Sequence, residues 1–180
     1  MTIACGTRVH LVQCCNPGIL KLMPIATFKT PTTDRYFEDY ELGATYELGE
    51  FTLSESDIMD FANRFDPQPF HIDREAAAKS HFGGIIASGW HTSSAMMRVV
   101  VDHFISAVAG MGSPGVNEIR WLKPVRPDEP LGVRVTIEQA RRSASKPDRG
   151  LLYTLMEVIG REGEPRMTVR SVGLVGCRVQ

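Results

Sequence analysis

The chain has 180 residues, 43% of them hydrophobic and 23% charged, and its formal net charge at pH 7 is −1. That size suits one domain with a sizeable core, and the composition is ordinary for a soluble globular protein. The balanced charge and the lack of an apolar run of roughly 20 residues argue against a nucleic acid or a membrane as partner.

Residues 1–33 differ from the rest of the chain. They carry scattered Cys, Pro and Gly, no sustained period and no continuous apolar stretch of the kind found in signal peptides. We expect an irregular tail here, followed by a single domain at residues 34–180. Met23 is an alternative start of the chain.

Cysteine usage favours a reducing compartment and therefore the cytoplasm. Three of the four cysteines lie in the tail and do not form a disulfide framework with the last one: Cys5, Cys14, Cys15 and Cys177. His10 lies near two of them, but the ligand count and spacing are wrong for zinc, so we expect no metal.

The first predicted elements are a strand and a helix. Thr45 to Leu53 is predicted as a strand. Ser54 is a good N-cap and Asp57, three residues later, completes a capping box, so a helix should start there. One apolar face runs along this helix, which delivers the chain to Asp66.

The segment from Asp66 to Asp73 reads Asp-Pro-Gln-Pro-Phe-His-Ile-Asp. Its prolines fix φ, remove backbone donors and push the preceding residues out of the helical region, so the helix cannot continue. Asp66 and His71 held in this way can share one water, one accepting a proton and the other giving one. The spacing alone also fits a turn-forming Asp and a core His. Asp73 should cap a short helix from Arg74 to Lys79.

The strongest structural signal follows Ser88-Gly89. The segment from Trp90 to Ala109 contains no Gly or Pro and is about five turns long. Only a narrow polar stripe interrupts its apolar surface. A helix that is apolar nearly all round is a buried helix, so the rest of the chain must wrap it.

Four strands are predicted in the C-terminal part: Val116 to Leu122, Leu131 to Ala140, Leu151 to Ile159 and Met167 to Val179. A basic loop from Arg141 to Gly150 joins two of them. Successive strands with short turns form an antiparallel sheet. The expected fold is therefore α+β, a single hot-dog domain in which an antiparallel sheet wraps one long buried helix.

The Asp-His segment and the buried helix together resemble the MaoC-like acyl dehydratases, the hot-dog (R)-specific enoyl-CoA hydratases. The family signature runs Asp, any, Asn, Pro, any, His, any, Asp, and residues 66–73 match it with Gln68 in place of Asn. The turn at residues 83–89 and the segment at residues 120–128 resemble the regions that flank the family's central helix. The resemblance covers roughly Tyr36 to Val175.

This resemblance implies reversible hydration of a trans-2-enoyl thioester to a 3-hydroxyacyl thioester, without a cofactor. Asp66 would be the base, and His71 would orient the water and return a proton. The backbone N–H of Gly89 would stabilise the thioester oxygen, because helix starts leave N–H groups unpaired and Gly permits close approach. The remaining expected substrate contacts are Gln68, Phe70, Ser88, Trp90 and Arg126.

Several features fit two interpretations. Some family members carry a serine on the central helix where this chain has Met97, and Ser93 or Ser94 would have to replace it. Met96 and Met97 can line an acyl tunnel, although core filling is the more ordinary role. Lys123, Arg126 and the basic loop can meet CoA phosphates or can be solvated charges.

Two other functions remain open, an acyl-CoA thioesterase and a non-catalytic acyl-CoA-binding protein of the same fold. Hot-dog thioesterases usually carry a carboxylate on the central helix, and here Asp102 lies far from the helix start. A homodimer is expected, because a lone antiparallel sheet leaves edge strands open and symmetric pairing is the commonest way to cover them. The ligand groove would then run along the subunit boundary.

Overall fold

The computed structural model describes residues 25–179. In this part of the chain a six-stranded sheet has the order β1-β2-β4-β5-β6-β3. The strands are β1 (Ile25–Ala26), β2 (Thr45–Phe51), β3 (Gly115–Trp121), β4 (Leu131–Arg142), β5 (Arg149–Ile159) and β6 (Pro165–Gly176). The helices are α1 (Glu55–Phe65), α2 (Pro69–Ile72), α3 (Arg74–Lys79) and α4 (Gly89–His103), and short 3₁₀ turns lie at Thr32–Asp34 and Phe37–Asp39.

The predicted α+β class is confirmed, with one long helix packed against a mainly antiparallel sheet. The sheet is mixed in detail, because β1 pairs with β2 in parallel while the other neighbouring strands are antiparallel. The predicted basic loop is shorter than expected. Arg141 pairs with Leu151 and Arg142 with Gly150, so the hairpin ladder between β4 and β5 continues into it.

Helix α4 ends at His103, not at Ala109 as the sequence predicts. Side chains from a distant segment satisfy its last carbonyl groups. Arg35 Nη1 donates to the carbonyl oxygens of His103 and Phe104, each at 2.9 Å, and the Tyr40 hydroxyl donates to that of Phe104 at 2.8 Å. Terminal carbonyls need such partners, and these arrive from outside the helix, so the chain turns away early.

Helix α4 is buried on one side only. It packs against β2 and β4, and the residues of its buried face are Thr92, Met96, Val99 and Val100. The other side of the helix exposes Met97 and Val101. The sequence predicted a helix buried all round. Within a single chain, only one side of α4 is buried.

Residues 25–33, which the sequence analysis assigns to the tail, lie against the domain. Ile25 and Ala26 pair with the first residues of β2. The Phe28 ring stacks on that of Tyr46 with centroids 3.9 Å apart, and the Arg35 guanidinium lies 3.4 Å from the centroid of Phe28. Residues 1–24, which include His10 and the cysteines of the tail, lie outside the described residues.

Candidate active site

Asp66 is held at the end of α1. The helix starts as predicted, because the Ser54 side chain accepts the N–H of Asp57 and the Asp57 side chain accepts that of Ser54. Its last hydrogen bond runs from the Asp66 N–H to the Ala62 carbonyl at 2.9 Å. Pro67 disfavours a helical conformation at the preceding residue, and Asp66 adopts φ −153° and ψ 65°. The carboxylate is thereby directed off the helix.

His71 is fixed by one turn of helix and by a main-chain acceptor. Pro69 occupies the first position of α2, where its missing N–H is harmless. The His71 side chain is 5% exposed, and Nδ1 lies 2.7 Å from the carbonyl oxygen of Ile86. A carbonyl oxygen only accepts, so Nδ1 carries a proton. The other ring nitrogen, Nε2, faces Asp66 and lies 3.4 Å from its Oδ2.

The Asp66 carboxylate accepts one hydrogen bond on each oxygen. Gln68 Nε2 donates to Oδ1 at 2.8 Å, and Ser88 Oγ donates to Oδ2 at 2.7 Å. Burial alone would raise the pKa of Asp66, but the bonds from Ser88 and Gln68 and the proximity of His71 outweigh it and hold this pKa below its ordinary value. Asp66 is therefore ionised at neutral pH.

Gly89 is the first residue of α4, and its N–H has no acceptor among the hydrogen bonds of residues 25–179. Steric room, and not backbone conformation, requires glycine here. A Cβ at this position would overlap the indole ring of Trp121. Trp121 in turn meets the Trp90 ring edge to face, with centroids 5.1 Å apart. Gly89, whose N–H lies at the positive end of the helix, is thus packed against the Trp121 ring.

A cavity of about 440 Å³ brings these groups together. Its walls come from α2, the start of α4, the segment after β3 and the start of β6. The lining residues are Asp66, Gln68, Phe70, His71, Phe82, Ile86, Ala87, Gly89, Trp90, Thr92, Trp121, Leu122, Lys123, Pro124, Val125, Arg166 and Met167. A mostly apolar and aromatic wall with a few convergent polar groups is typical of a small-molecule site.

Two of the residues predicted to bind substrate do not reach this cavity. Ser88 is fully buried and its hydroxyl is occupied by Asp66. Arg126 donates to the carbonyl oxygens of Phe82, Gly84 and Ile85, so its guanidinium holds the turn before α4. Both expectations are corrected, because these polar groups are already used inside the protein.

Gln68, Phe70 and Trp90, the other residues expected to contact substrate, line the cavity. The basic groups on the wall are Lys123 and Arg166. Arg166 forms ion pairs with Glu129 and with Glu164.

The serines of α4 do not replace the missing family serine. Ser93 Oγ donates to the Gly89 carbonyl at 2.8 Å, and Ser94 Oγ donates to that of Trp90 at 2.8 Å. Met96 is 1% exposed and fills the core, whereas Met97 faces outward. Neither methionine lines the cavity, so core filling is the role that the structure supports for Met96.

Trp121 is the main residue of the site that the sequence reasoning missed. It lies at the end of an edge strand, in the segment that resembles the family's strand after the central helix. A signal was present in that resemblance, but the contact with Gly89 spans 32 positions of sequence, which no local pattern reveals. Thr92 and Met167 were missed for the same reason.

The fold and the site define a hot-dog domain of the dehydratase class. Residues 39–155 match the model of the MaoC like domain, and the chain belongs to this family. The identity to YdeM of Bacillus subtilis, an uncharacterised protein, is 29% over 66% of this chain and 83% of YdeM. An (R)-specific enoyl-CoA hydratase of Rhodospirillum rubrum is 34% identical over 57% of this chain and 69% of that protein.

A crystal structure of a MaoC-like dehydratase from Rhodospirillum rubrum superposes with a TM-score of 0.75 and 34% identity, covering 81% of this chain and 99% of that one. Within residues 25–179, no group of three or more His, Cys, Asp or Glu side chains is arranged to hold a metal ion. No helix in the same range is long and apolar enough to cross a membrane.

Proposed function

We propose that the protein catalyses the reversible addition of water to a trans-2-enoyl thioester, such as an enoyl-CoA, to give a 3-hydroxyacyl thioester. One observation carries the proposal. The Asp66 carboxylate and the His71 imidazole meet at 3.4 Å in a cavity that Gly89 also lines, and the Gly89 N–H has no acceptor among residues 25–179. A similar protein bears the name (R)-specific enoyl-CoA hydratase, which supports the same reaction here.

The dyad is suited to hold one water. An ionised Asp66 and a His71 protonated on Nδ1 both present acceptors to the cavity, so neither can donate to the other. A separation of 3.4 Å is long for a strong direct hydrogen bond and lets one water donate a hydrogen to each. The lone pairs of that water then face the substrate, as nucleophilic attack requires.

In the hydration direction the water oxygen forms a bond to C3. The electron pair of the C2–C3 double bond moves towards the thioester carbonyl, which becomes an enolate. Asp66 takes the proton that the water loses. His71 orients the water, receives this proton at Nε2, which lies 3.4 Å from Asp66 Oδ2, and returns it to C2, so the dyad ends as it began. Both bonds are made from the face where the dyad lies, so the addition is syn.

The Gly89 N–H is proposed to stabilise the negative charge on the thioester oxygen. The start of α4 carries a partial positive charge, which favours negative charge on an oxygen bound there. Removing such a donor typically lowers turnover about 10²–10³-fold. Lys123, instead of the internally bonded Arg126, is the cavity-lining cation that we expect to meet the anionic part of a CoA or carrier-protein thioester.

A homodimer is part of this proposal. The outer face of α4 and the edge strand β3 present apolar side chains to solvent in the single chain, including Met97, Val101, Val116 and Trp121. Pairing of two copies would cover both surfaces and narrow the cavity mouth beside Trp121. Light scattering at assay concentration tests it, and full activity at the 20.0 kDa mass of one chain would refute the shared groove.

The experiment that tests the function is a panel of enoyl-CoA substrates of increasing acyl length, followed by the loss of enoyl absorbance. Hydration of at least one member is expected. Thiol release from a saturated acyl-CoA would instead indicate a thioesterase. Calorimetric binding of a saturated acyl-CoA without turnover of any enoyl-CoA would indicate a binding protein.

A further inference from the structure

Ser88 is a fully buried polar residue that the chemistry above does not use directly. Its hydroxyl makes two hydrogen bonds. It donates to Asp66 Oδ2 at 2.7 Å and accepts the N–H of Trp90 at 3.2 Å as the N-cap of α4. Since Ser88 is absent from the cavity wall, it can act on a substrate only through its neighbours.

We propose that Ser88 is a positioning residue that ties the Asp66 carboxylate to the start of α4 and so holds the base in register with the Gly89 N–H. The inference rests on the proposed function for its catalytic meaning. The base comes from the loop after α1, and the oxyanion donor comes from the first turn of α4. Ser88 is the hydrogen-bonded link between them.

The geometry makes this link more important than that of Gln68. Ser88 binds Oδ2, the same oxygen that faces His71 Nε2, and so fixes the atom that would hold the water. Gln68 binds the other oxygen from an exposed position, where solvent can replace it. Ser88 is itself fully buried, so solvent is not at hand to replace its hydroxyl, and the loss of a buried donor is usually more damaging than the net value of the bond.

Two hydrogen bonds follow one another through Ser88: the Trp90 N–H donates to the Ser88 hydroxyl, and this hydroxyl donates to Asp66. The Trp90 N–H polarises the Ser88 hydroxyl, which strengthens its bond to the carboxylate. The other titratable groups of the cavity are His71 on α2 and, from the opposite wall, Lys123 and Arg166. Because a donor to the carboxylate favours the ionised form, its removal should raise the pKa of Asp66.

The test compares Ser88→Gly with Ser88→Ala and uses Ser54→Ala as the control. Glycine at an N-cap lowers helix stability by only a few tenths of a kcal/mol, so Ser88→Gly removes the hydroxyl and largely preserves the helix start. Ser54→Ala removes an equivalent cap from α1, away from the cavity. Two readouts are needed, the Asp66 pKa from carboxyl ¹³C NMR titration and the pH profile of kcat/KM for enoyl-CoA hydration.

Both Ser88 variants should raise the Asp66 pKa and move the acid limb of the rate profile to higher pH. They should also lower kcat on the order of tenfold at neutral pH through misplacement of the carboxylate, with little change in KM. Ser88→Thr restores a hydroxyl and should return both readouts towards wild type. Ser54→Ala should leave both unchanged.

An unmoved Asp66 pKa and acid limb in Ser88→Gly would overturn the proposal and reduce Ser88 to a helix cap, whatever happens to the rate. The NMR readout needs no turnover. A wild-type protein that hydrates no enoyl thioester would therefore defeat the proposed reaction, while the titration would still decide whether Ser88 sets the state of Asp66.

Discussion

Helices α1 and α4 both begin after a serine, but the two serines have different reach. Ser54 closes a local box in which its side chain accepts from the Asp57 N–H at 3.1 Å and Asp57 accepts from the Ser54 N–H at 3.3 Å. Ser88 caps α4 and extends to Asp66, 22 positions earlier in the chain. The same capping chemistry is thus self-contained at one helix and part of the candidate active site at the other.

The largest expected effect is the difference between substituting Asp66, which is hydrogen-bonded to Ser88, and substituting Asp57, which is hydrogen-bonded to Ser54. Asp66→Asn and His71→Ala should each lower the hydration rate about 10²–10⁴-fold, because each removes one partner of the shared water. Asp57→Asn, which alters the carboxylate of the α1 box, should keep near-normal turnover. The measurement is the initial rate on the best enoyl-CoA, with circular dichroism to confirm folding.

Near-normal turnover of Asp66→Asn or His71→Ala would show that the dyad assignment is wrong. A large loss in Asp57→Asn would instead show that the start of α1 also serves the site, and the contrast between the helices would disappear.

The next effect compares the first residues of the two helices. Gly89→Ala should lower activity on the order of 10²-fold, since the new Cβ overlaps Trp121 and displaces either the ring or the N–H. Glu55→Ala at the start of α1 should have little effect on the rate. Activity that recovers in Gly89→Ala combined with Trp121→Ala would identify the clash as the cause, and a fully active Gly89→Ala would contradict the packing.

A smaller effect concerns stability alone. Ser54→Ala should lower the free energy of unfolding by about 1 kcal/mol, the usual value of an N-cap, with kcat preserved. The hydrogen bonds from Ser54 hold the pKa of Asp57 below its ordinary value. The stabilisation that the ionised Asp57 contributes is therefore complete above the pKa of an unfolded-state Asp. It is lost as the pH falls through the lowered pKa of Asp57 in the folded protein.

Denaturant unfolding at pH 7 and at acid pH checks this prediction. The difference between wild type and Ser54→Ala should shrink as the solution becomes more acid. If the difference in unfolding free energy between wild type and Ser54→Ala grew at acid pH, it would contradict the stabilising role assigned to the ionised Asp57 in the capping box.

The smallest expected effect is that of removing residues 1–22. The sequence of residues 1–22 shows neither a sustained period nor helix caps, so a chain that begins at Met23 should retain its melting temperature and its activity. A fall of many degrees in melting temperature would show that the removed residues pack against the domain.

The sequence predicted what local rules control. Ser54 with Asp57, and Asp73 before Arg74, mark helix starts that the structure confirms, because capping partners lie within three residues of each other. The Asp66-His71 pair was found because two prolines stiffen a short segment. The four C-terminal strands were placed to within a few residues for a similar reason, the alternation of apolar side chains.

The errors share a long-range cause. The end of α4 depends on Arg35, 68 positions away. Arg126 appeared to be a free surface cation, yet its acceptors lie 41 to 44 positions earlier. Neither partner carries a local signature, since any backbone carbonyl can accept from an arginine. The role of Ser88 was misjudged in the same way, through a carboxylate that the fold alone brings near.

The position of Arg35 limits how far the chain can be shortened. Its guanidinium holds the final carbonyls of α4 and rests on the Phe28 ring. Deleting Phe28 would expose the buried Arg35 guanidinium to solvent and weaken its hold on the C-terminal end of α4, the helix that begins at Gly89. A minimal fragment that keeps the fold intact should therefore begin upstream of Phe28, because trimming to the predicted boundary at residue 34 would remove a contact that supports the end of α4.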